Sequence, residues 1–384
     1  MIDITNKADC CGCTACVCVC PKNAISMERD VLGFEYPKVD QEKCISCGLC
    51  DKVCSFKKGY SVAANFDTPY AYAVRHKEMR EIEASRSGAV FIAFSNWIFQ
   101  QGGVVYGAAF DSNLLVRHQR AATPFERDAF RGSKYVQSSL GDSFKRVKDD
   151  LSEGKMVLFS GTGCQVAGIK KFISDRLQEK LYTIDIICHG VPSPSIFADF
   201  LKYAEKKYSK KIVNFNFRNK AVNGWDDHCE TMTFSDGQNV SSRVYKGIFY
   251  NNNTLRESCY RCPYANTSRV GDITIGDFWG WENVAPEFNK DNKGVSLVLV
   301  NNPKGQELFY STSSSVQFVE APIEKCLQRN LMHPTPRPVD RDYLEKGYAR
   351  HGFEFIVKNY IRPNFVAKIK KRIVRYGTKL FKKD

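Results

Sequence analysis

Ten of the sixteen cysteines fall within the first 54 residues: Cys10, Cys11, Cys13, Cys16, Cys18, Cys20, Cys44, Cys47, Cys50 and Cys54. The run Cys10-x2-Cys13-x2-Cys16-x3-Cys20-Pro21 recurs 34 residues later as Cys44-x2-Cys47-x2-Cys50-x3-Cys54. Each x2 spacing lets a tight loop aim successive thiolates at one iron–sulfur cubane, and the last cysteine of a run begins a new turn that reaches the other cluster. Cys10, Cys13, Cys16 and Cys54 are therefore expected to hold one [4Fe-4S] cluster, and Cys44, Cys47, Cys50 and Cys20 a second. Cys-x2-Cys pairs also build zinc modules, but two complete runs in tandem favour clusters. Cys11 and Cys18 are surplus to the pattern. Ser55 follows Cys54 where the pattern prefers proline, a change that touches no ligand.

Such a two-cluster module is complete in about sixty residues, which leaves most of the chain for something else. From Pro69 onward the sequence alternates strand and helix. Tyr70-Ala71-Tyr72-Ala73-Val74 reads as a strand, 88–101 as an apolar helix, 103–110 as a buried strand and 144–153 as an amphipathic helix. Residues 156–160 form a short apolar strand. Gly161-Thr162-Gly163-Cys164-Gln165 opens a helical stretch to about Gln178, and 182–187 is the next strand, ending in Cys188-His189-Gly190. Strand, helix, strand over this length is a βαβ unit with parallel strands. Cys164 and Cys188 then lie just past the carboxyl ends of their strands, the edge where open α/β sheets bind ligands.

With the Cys-x2-Cys pair Cys259 and Cys262, they make four thiols able to ligate a third [4Fe-4S] cluster. A zinc site and unrelated buried thiols are the alternatives. Cys229 and Cys326 read as small buried hydrophobes. Residues 160–168 lack the G-x-G-x-x-G and P-loop spacings. Cys188 and His189 are adjacent at a strand end, where neighbours point apart, so they do not read as a nucleophile pair. Residues 271–277 alternate like an edge strand, with Arg269 and Asp272 beside it as cofactor candidates, and 311–315 reads as a loop or helix end.

The 384 residues are 43% hydrophobic and 12% aromatic, enough for real cores, so a disordered chain is excluded. The longest apolar stretch, 88–99, is about half the ~20 residues that a membrane-spanning helix needs. The start shows no basic segment followed by an apolar run, as a secretory signal would. A reducing cytoplasm is expected, where sixteen cysteines suit metal ligation better than disulfides. The formal charge of +14 is uneven: residues 362–384 hold nine basic side chains and one acidic, and residues 1–60 balance eight against eight. No aromatic interleaving or known module points to nucleic acid.

These motifs resemble the coenzyme F420 hydrogenase/dehydrogenase beta-subunit family. The resembling blocks are 131–138 (from Arg131 to Ser138), 160–165, 187–194, 216–220, 259–264 and 271–280, in family order over roughly residues 70–305. The N-terminal runs are similar to members that fuse a two-cluster ferredoxin-type domain to the flavin module. The resemblance implies FAD and an iron–sulfur cluster in the module, moving electrons between a two-electron carrier and one-electron clusters. It implies Cys164, Cys188, Cys259 and Cys262 as ligands of the third cluster. It also implies Ser87, Gly88, Lys134, Tyr135, Thr162 and Gln165 as flavin contacts. Two departures stand out: the family's Ser-Gly-Gly is Ser87-Gly88-Ala89 here, and its Gly-Thr-Pro-Cys-Gln carries Gly163 for proline.

The expected architecture is α+β and α/β. A 2[4Fe-4S] ferredoxin-like domain spans 1–62. A mixed α/β module divides into a flavin-binding region over 68–175 and a region with the third cluster over 176–345. A helical, basic tail over 346–384 completes the chain. Within it, 362–384 reads as an interrupted amphipathic helix suited to an anionic membrane surface or a partner, with a frayed, solvated terminus as the alternative. Expected partners are a small-molecule redox substrate or carrier and a protein electron donor or acceptor. A non-catalytic docking subunit of a larger redox complex, and a reductase in a polysaccharide or lipid pathway, are the competing functions.

Overall fold

A computed structural model describes residues 1–361, without the side chains of Lys57 and Lys58. The basic stretch expected at 362–384 lies outside the described residues. The strands are β1 (Ile25–Arg29), β2 (Glu35–Val39), β3 (Tyr70–His76), β4 (Val104–Phe110), β5 (Val116–Ala121), β6 (Val157–Thr162) and β7 (Leu181–Ile186). They continue with β8 (Ile212–Asn216), β9 (Glu230–Phe234), β10 (Asn239–Ser242), β11 (Ile273–Asp277), β12 (Ser296–Val300) and β13 (Val316–Ala321).

The central sheet runs β13-β3-β12-β11-β7-β6-β4-β5. Its middle four strands, β11, β7, β6 and β4, are parallel, and antiparallel strands close both flanks. The apolar runs Leu297–Val300 in β12 and Val157–Phe159 in β6 fit strands covered on both faces. Val105, Leu158, Ile184, Ile273 and Val298 pack on one face against helices Val90–Gln100 and Pro303–Ser311. Val104, Tyr106, Val157, Phe159 and Leu181 pack on the other against Ser143–Ser152 and Gly163–Phe172.

The expected β6–helix–β7 unit is present with parallel strands. Its helix stops at Phe172, where the Ile173 backbone turns extended, and a short helix Asp175–Gln178 follows. β11 is no edge strand: it sits between β12 and β7, because Ile273 and Ile275 carry apolar contact on a doubly covered sheet. The boundary expected at 175/176 falls inside helix Asp175–Gln178, and one sheet draws strands from both sides of it. The boundary at 345/346 likewise falls inside helix Arg341–His351.

The N-terminal head forms the β1–β2 hairpin and the short helices Ala15–Val19 and Leu49–Lys52. Ala15, Cys18 and Val53 join the same apolar core as Phe144 and Val166, so the head is packed into the sheet module. The surplus Cys18 is part of that core. The sheet β10-β9-β8 packs with helix Pro194–Tyr208 in a further, aromatic-rich core.

Candidate redox site

The duplicated cysteine runs fold alike. Thr14 and Gly48, equivalent in the repeat, both take left-handed backbone (φ 62° and 74°) and start short helices that carry Cys16 and Cys50. Cys10, Cys13 and Cys54 are the cysteines that act on Cys16 electrostatically, and burial pushes the Cys16 thiol up. Cys20, Cys44, Cys47 and Cys50 line one small cavity with Met1 and Pro21. Backbone N–H groups point at the sulfurs: Ile2 at Cys50 Sγ (3.2 Å), Ala24 at Cys20 Sγ (3.3 Å) and Gly12 at Cys10 Sγ (3.4 Å). The two groupings are the crossed sets that the spacing suggests.

A second cavity is lined by Cys164, Cys188, Cys259 and Cys262 together with Cys11, Gln137, Arg256 and Arg269. Cys164 is placed at the start of helix Gly163–Phe172 by a capping box in which Thr162 and Gln165 hold each other. Thr162 Oγ1 also lies 3.2 Å from Cys164 Sγ. Cys188 follows β7, and Cys259 sits on the 3-10 turn Glu257–Arg261 with Val191 N–H 3.4 Å from its sulfur. Burial pushes Cys188 and Cys262 up to about 12. Hydrogen bonding from the Cys11 thiol pulls Cys13 below the usual thiol range and Cys164 down to about 7, while Cys11 itself is pushed up. Among the described residues no three His, Cys, Asp or Glu side chains close to single-ion spacing. The donor set, four thiols around one shared cavity, is one that a [4Fe-4S] cluster or a tetrahedral zinc ion could use. Cys229 and Cys326 are buried away from these sites. His189 turns from Cys188, its Nε2 lying 2.7 Å from Asn252 Oδ1.

A wide space of about 550 Å³ opens at the carboxyl ends of β4, β6, β7 and β11. Ser87, Lys134, Tyr135, Thr162 and Gln165 line it; Gly88, Arg269 and Asp272 do not. Gly88 is spent on the sheet, its carbonyl accepting from His76 N–H at 2.8 Å. Arg269 forms a buried ion pair with Asp185 at 3.2 Å, and Asp272 accepts from Thr183 Oγ1 at 2.7 Å and pairs with Lys170 at 3.2 Å. Both hold the sheet to its neighbours. The Lys134 ammonium donates to the carbonyls of Ala129 and Arg131, and burial pushes it down to about 7.

The same wall carries residues to which sequence reasoning gave no role: Arg86, Arg218, Asp277 and Trp279. Asp277 pairs with Arg218 (2.9 Å) and Arg86 (3.6 Å), and Trp279 stacks on Trp225 at 4.5 Å. Among the described residues, Arg86 Nε and one of its terminal nitrogens have no partner, nor does Arg218 Nε. Buried guanidinium nitrogens with no acceptor beside a wide space suit an anionic ligand. Arg86 adjoins Ser87, and Arg218 and Asp277 lie inside resembling blocks, so the signal was present without a role attached. The wide space and the four-cysteine cavity share Thr162, Gln165, Cys188, His189, Gly190 and Val191 as a common wall.

Residues 154–325 match the family model for the C-terminal part of the beta subunit of coenzyme F420 hydrogenase/dehydrogenase. Residues 9–58 match the 4Fe-4S dicluster domain. Among solved structures, the chain is similar to one from the xenon-derivatised F420-reducing [NiFe] hydrogenase complex of Methanosarcina barkeri. The two are 15% identical over 76% of this chain and 90% of that one, with a TM-score of 0.47.

Proposed function

Because this chain joins a 4Fe-4S dicluster domain to the C-terminal region of the coenzyme F420 hydrogenase/dehydrogenase beta-subunit family, we propose that it is an iron–sulfur flavoprotein oxidoreductase of the cytoplasm. FAD would occupy the wide cavity, and a third cluster the four-cysteine cavity beside it. FAD, when bound, supplies the exchange between hydride and single electrons, and [4Fe-4S] clusters carry the single electrons.

The chain's own residues divide the remaining work. Arg86 and Lys134 bring positive charge to an anionic cofactor, and two Arg86 nitrogens have no partner among the described residues. Asp277 keeps Arg86 and Arg218 at the wall, and Trp279 and Tyr250 give it apolar surface. Thr162 and Gln165 are fixed by their mutual hydrogen bonds, which keeps the partition between the two cavities rigid. The observation that carries this reading is the shared wall: Cys188 lines both spaces, so a cofactor in one adjoins a ligand of the other. A protein electron partner would meet the head where Cys47, Ile45 and Leu49 are exposed.

Anaerobic purification with iron and flavin assays tests the proposal. About twelve irons and one FAD per chain are expected from the ligand count; about eight irons with no flavin overturns it. The competing reading, a docking subunit without chemistry of its own, fails if the purified chain alone oxidises a reduced deazaflavin or nicotinamide with a dye as acceptor.

A further inference from the structure

Between the head cysteines and the four-cysteine cavity lies a buried guanidinium whose hydrogen bonds, among the described residues, go to no carboxylate. Arg256 is 0% exposed. Its Nε donates to Cys10 O at 2.7 Å, and one terminal nitrogen donates to Gln137 Oε1 at 3.0 Å. The other donates to Glu35 O at 2.8 Å and reaches Cys10 Sγ at 3.5 Å. The guanidinium lies over the Tyr36 ring at 4.2 Å and the Phe34 ring at 5.5 Å, and it also lines the cavity of Cys164, Cys188, Cys259 and Cys262.

The surroundings are built for it. Gln137 accepts from Arg256 and donates through Nε2 to Cys11 O at 2.9 Å, tying the guanidinium to the cysteine loop. Gly12 turns that loop with φ +73°, and a Cβ there would stand 2.9 Å from the Arg256 terminal nitrogen and 3.0 Å from Gln137 Nε2. Only glycine allows both the turn and the approach. Cys11, 5% exposed, makes the same loop part of the cavity wall.

An unpaired buried cation is strongly unfavourable, and aromatic faces offset only part of that. An all-thiolate [4Fe-4S] cluster is an anion, roughly −2 in its oxidised form. We propose that Arg256 is a shared counter-ion of two clusters, the one on Cys10, Cys13, Cys16 and Cys54 and the one on Cys164, Cys188, Cys259 and Cys262. It is a positioning residue whose charge raises both reduction potentials together. The inference rests on the reading that both cysteine sets hold clusters.

The test uses the anaerobically purified full chain, with EPR-monitored redox titration and iron assay of wild type, Arg256→Gln and Arg256→Lys. Removing the charge should lower both interior potentials by at least tenfold in the one-electron equilibrium, about 59 mV. The cluster on Cys20, Cys44, Cys47 and Cys50 should move less than about threefold. Arg256→Lys keeps the charge and should hold both potentials within about threefold of wild type. A merely structural arginine would change iron content or stability without this charge-dependent pattern. Full iron with unchanged potentials in Arg256→Gln overturns the inference alone. Wild type with only about eight irons overturns the three-cluster reading beneath it. Should Arg256→Gln lose iron, Arg256→Lys decides: full iron and unmoved potentials support the counter-ion, and a tenfold fall in both, or loss of iron despite the retained charge, overturns it.

Discussion

The two halves of the cysteine duplication share spacing and local backbone, yet one is interior and the other faces solvent. Cys13 packs beside Gly168 of a sheet-module helix, and Cys10 meets the buried Arg256. Of their counterparts Cys47 and Cys44, Cys47 is exposed, with Ile45 beside it 58% exposed, while Cys44 is half-buried. A [4Fe-4S] potential responds to burial, hydrogen bonds to sulfur and neighbouring charge. One repeated ligand pattern can therefore yield two different redox centres, the difference being made by what the sheet module lays over the first half and leaves off the second.

The largest effect expected from this contrast is on metal content. Cys164→Ser should remove about four irons, one cubane, while the surface half of the head keeps its own. Iron assay with EPR checks this. Unchanged iron would show that Cys164 is not a ligand, and loss of all iron would show that the interior and surface sites are one cooperative unit.

Stability should divide along the same line. On the interior side, Arg269 and Asp185 are almost fully buried, 3.2 Å apart, and Asp185 also accepts from Val270 and Gly271 N–H groups. Asp185→Asn leaves a stranded guanidinium and should cost about 3–5 kcal/mol. On the surface side, the Arg29 Nε of the head hairpin lies 3.2 Å from the Glu35 carboxylate with the arginine side chain 61% exposed. Arg29→Gln should cost about 1 kcal/mol or less. Denaturation midpoints of the two variants measure the ratio, and equal losses would break the contrast.

These particulars also show what was readable in the sequence. The crossed cysteine sets and the β6–helix–β7 unit are legible because their geometry is fixed by residues near in sequence. The place of β11 is not, since its interior position depends on β12 and β7, the latter some ninety residues earlier. Strands β8, β9 and β10 escape sequence reasoning altogether, because at four or five residues each they offer too few positions for an alternation to stand out. Arg256 and Arg86 carry no local signature; their meaning is set by burial and by partners elsewhere in the chain. Asp272 and Arg269 part company here. Both form buried ion pairs, but Arg269 also lines the four-cysteine cavity while Asp272 lines neither space.

Titration gives a smaller effect, confined to the wide interior cavity. Burial holds the Lys134 ammonium near 7, so it is charged below that pH and neutral above it. An anionic cofactor bound there should weaken as pH rises through 7, by at most about tenfold per pH unit for one proton. FAD affinity measured at pH 6 and 8 should show this slope in wild type and lose it in Lys134→Met. The linkage to folding has the opposite sense: between about 7 and the ordinary lysine range the unfolded chain binds the extra proton, so stability of the cofactor-free protein gains with pH. Cluster retention at the surface site should be indifferent to this group.

The smallest effect compares the two equivalent left-handed residues directly. Gly48 has φ +74° and nothing within 4 Å of where a Cβ would stand. Gly48→Ala meets no clash and should cost only the backbone penalty, about 1–2 kcal/mol. Thr14 takes the same conformation with a β-branched side chain, 4% exposed, and its Oγ1 donates to Gly141 O at 3.3 Å. Thr14→Gly should relieve a penalty of about 1–2 kcal/mol but lose a buried methyl of about 0.8 kcal/mol and a hydrogen bond of about 1 kcal/mol. The gains and losses nearly cancel, so its midpoint should stay within about 1 kcal/mol of wild type. A large stabilisation in Thr14→Gly would mean that the sheet module exerts no useful hold on this loop. In that case the interior and surface halves would differ only in exposure.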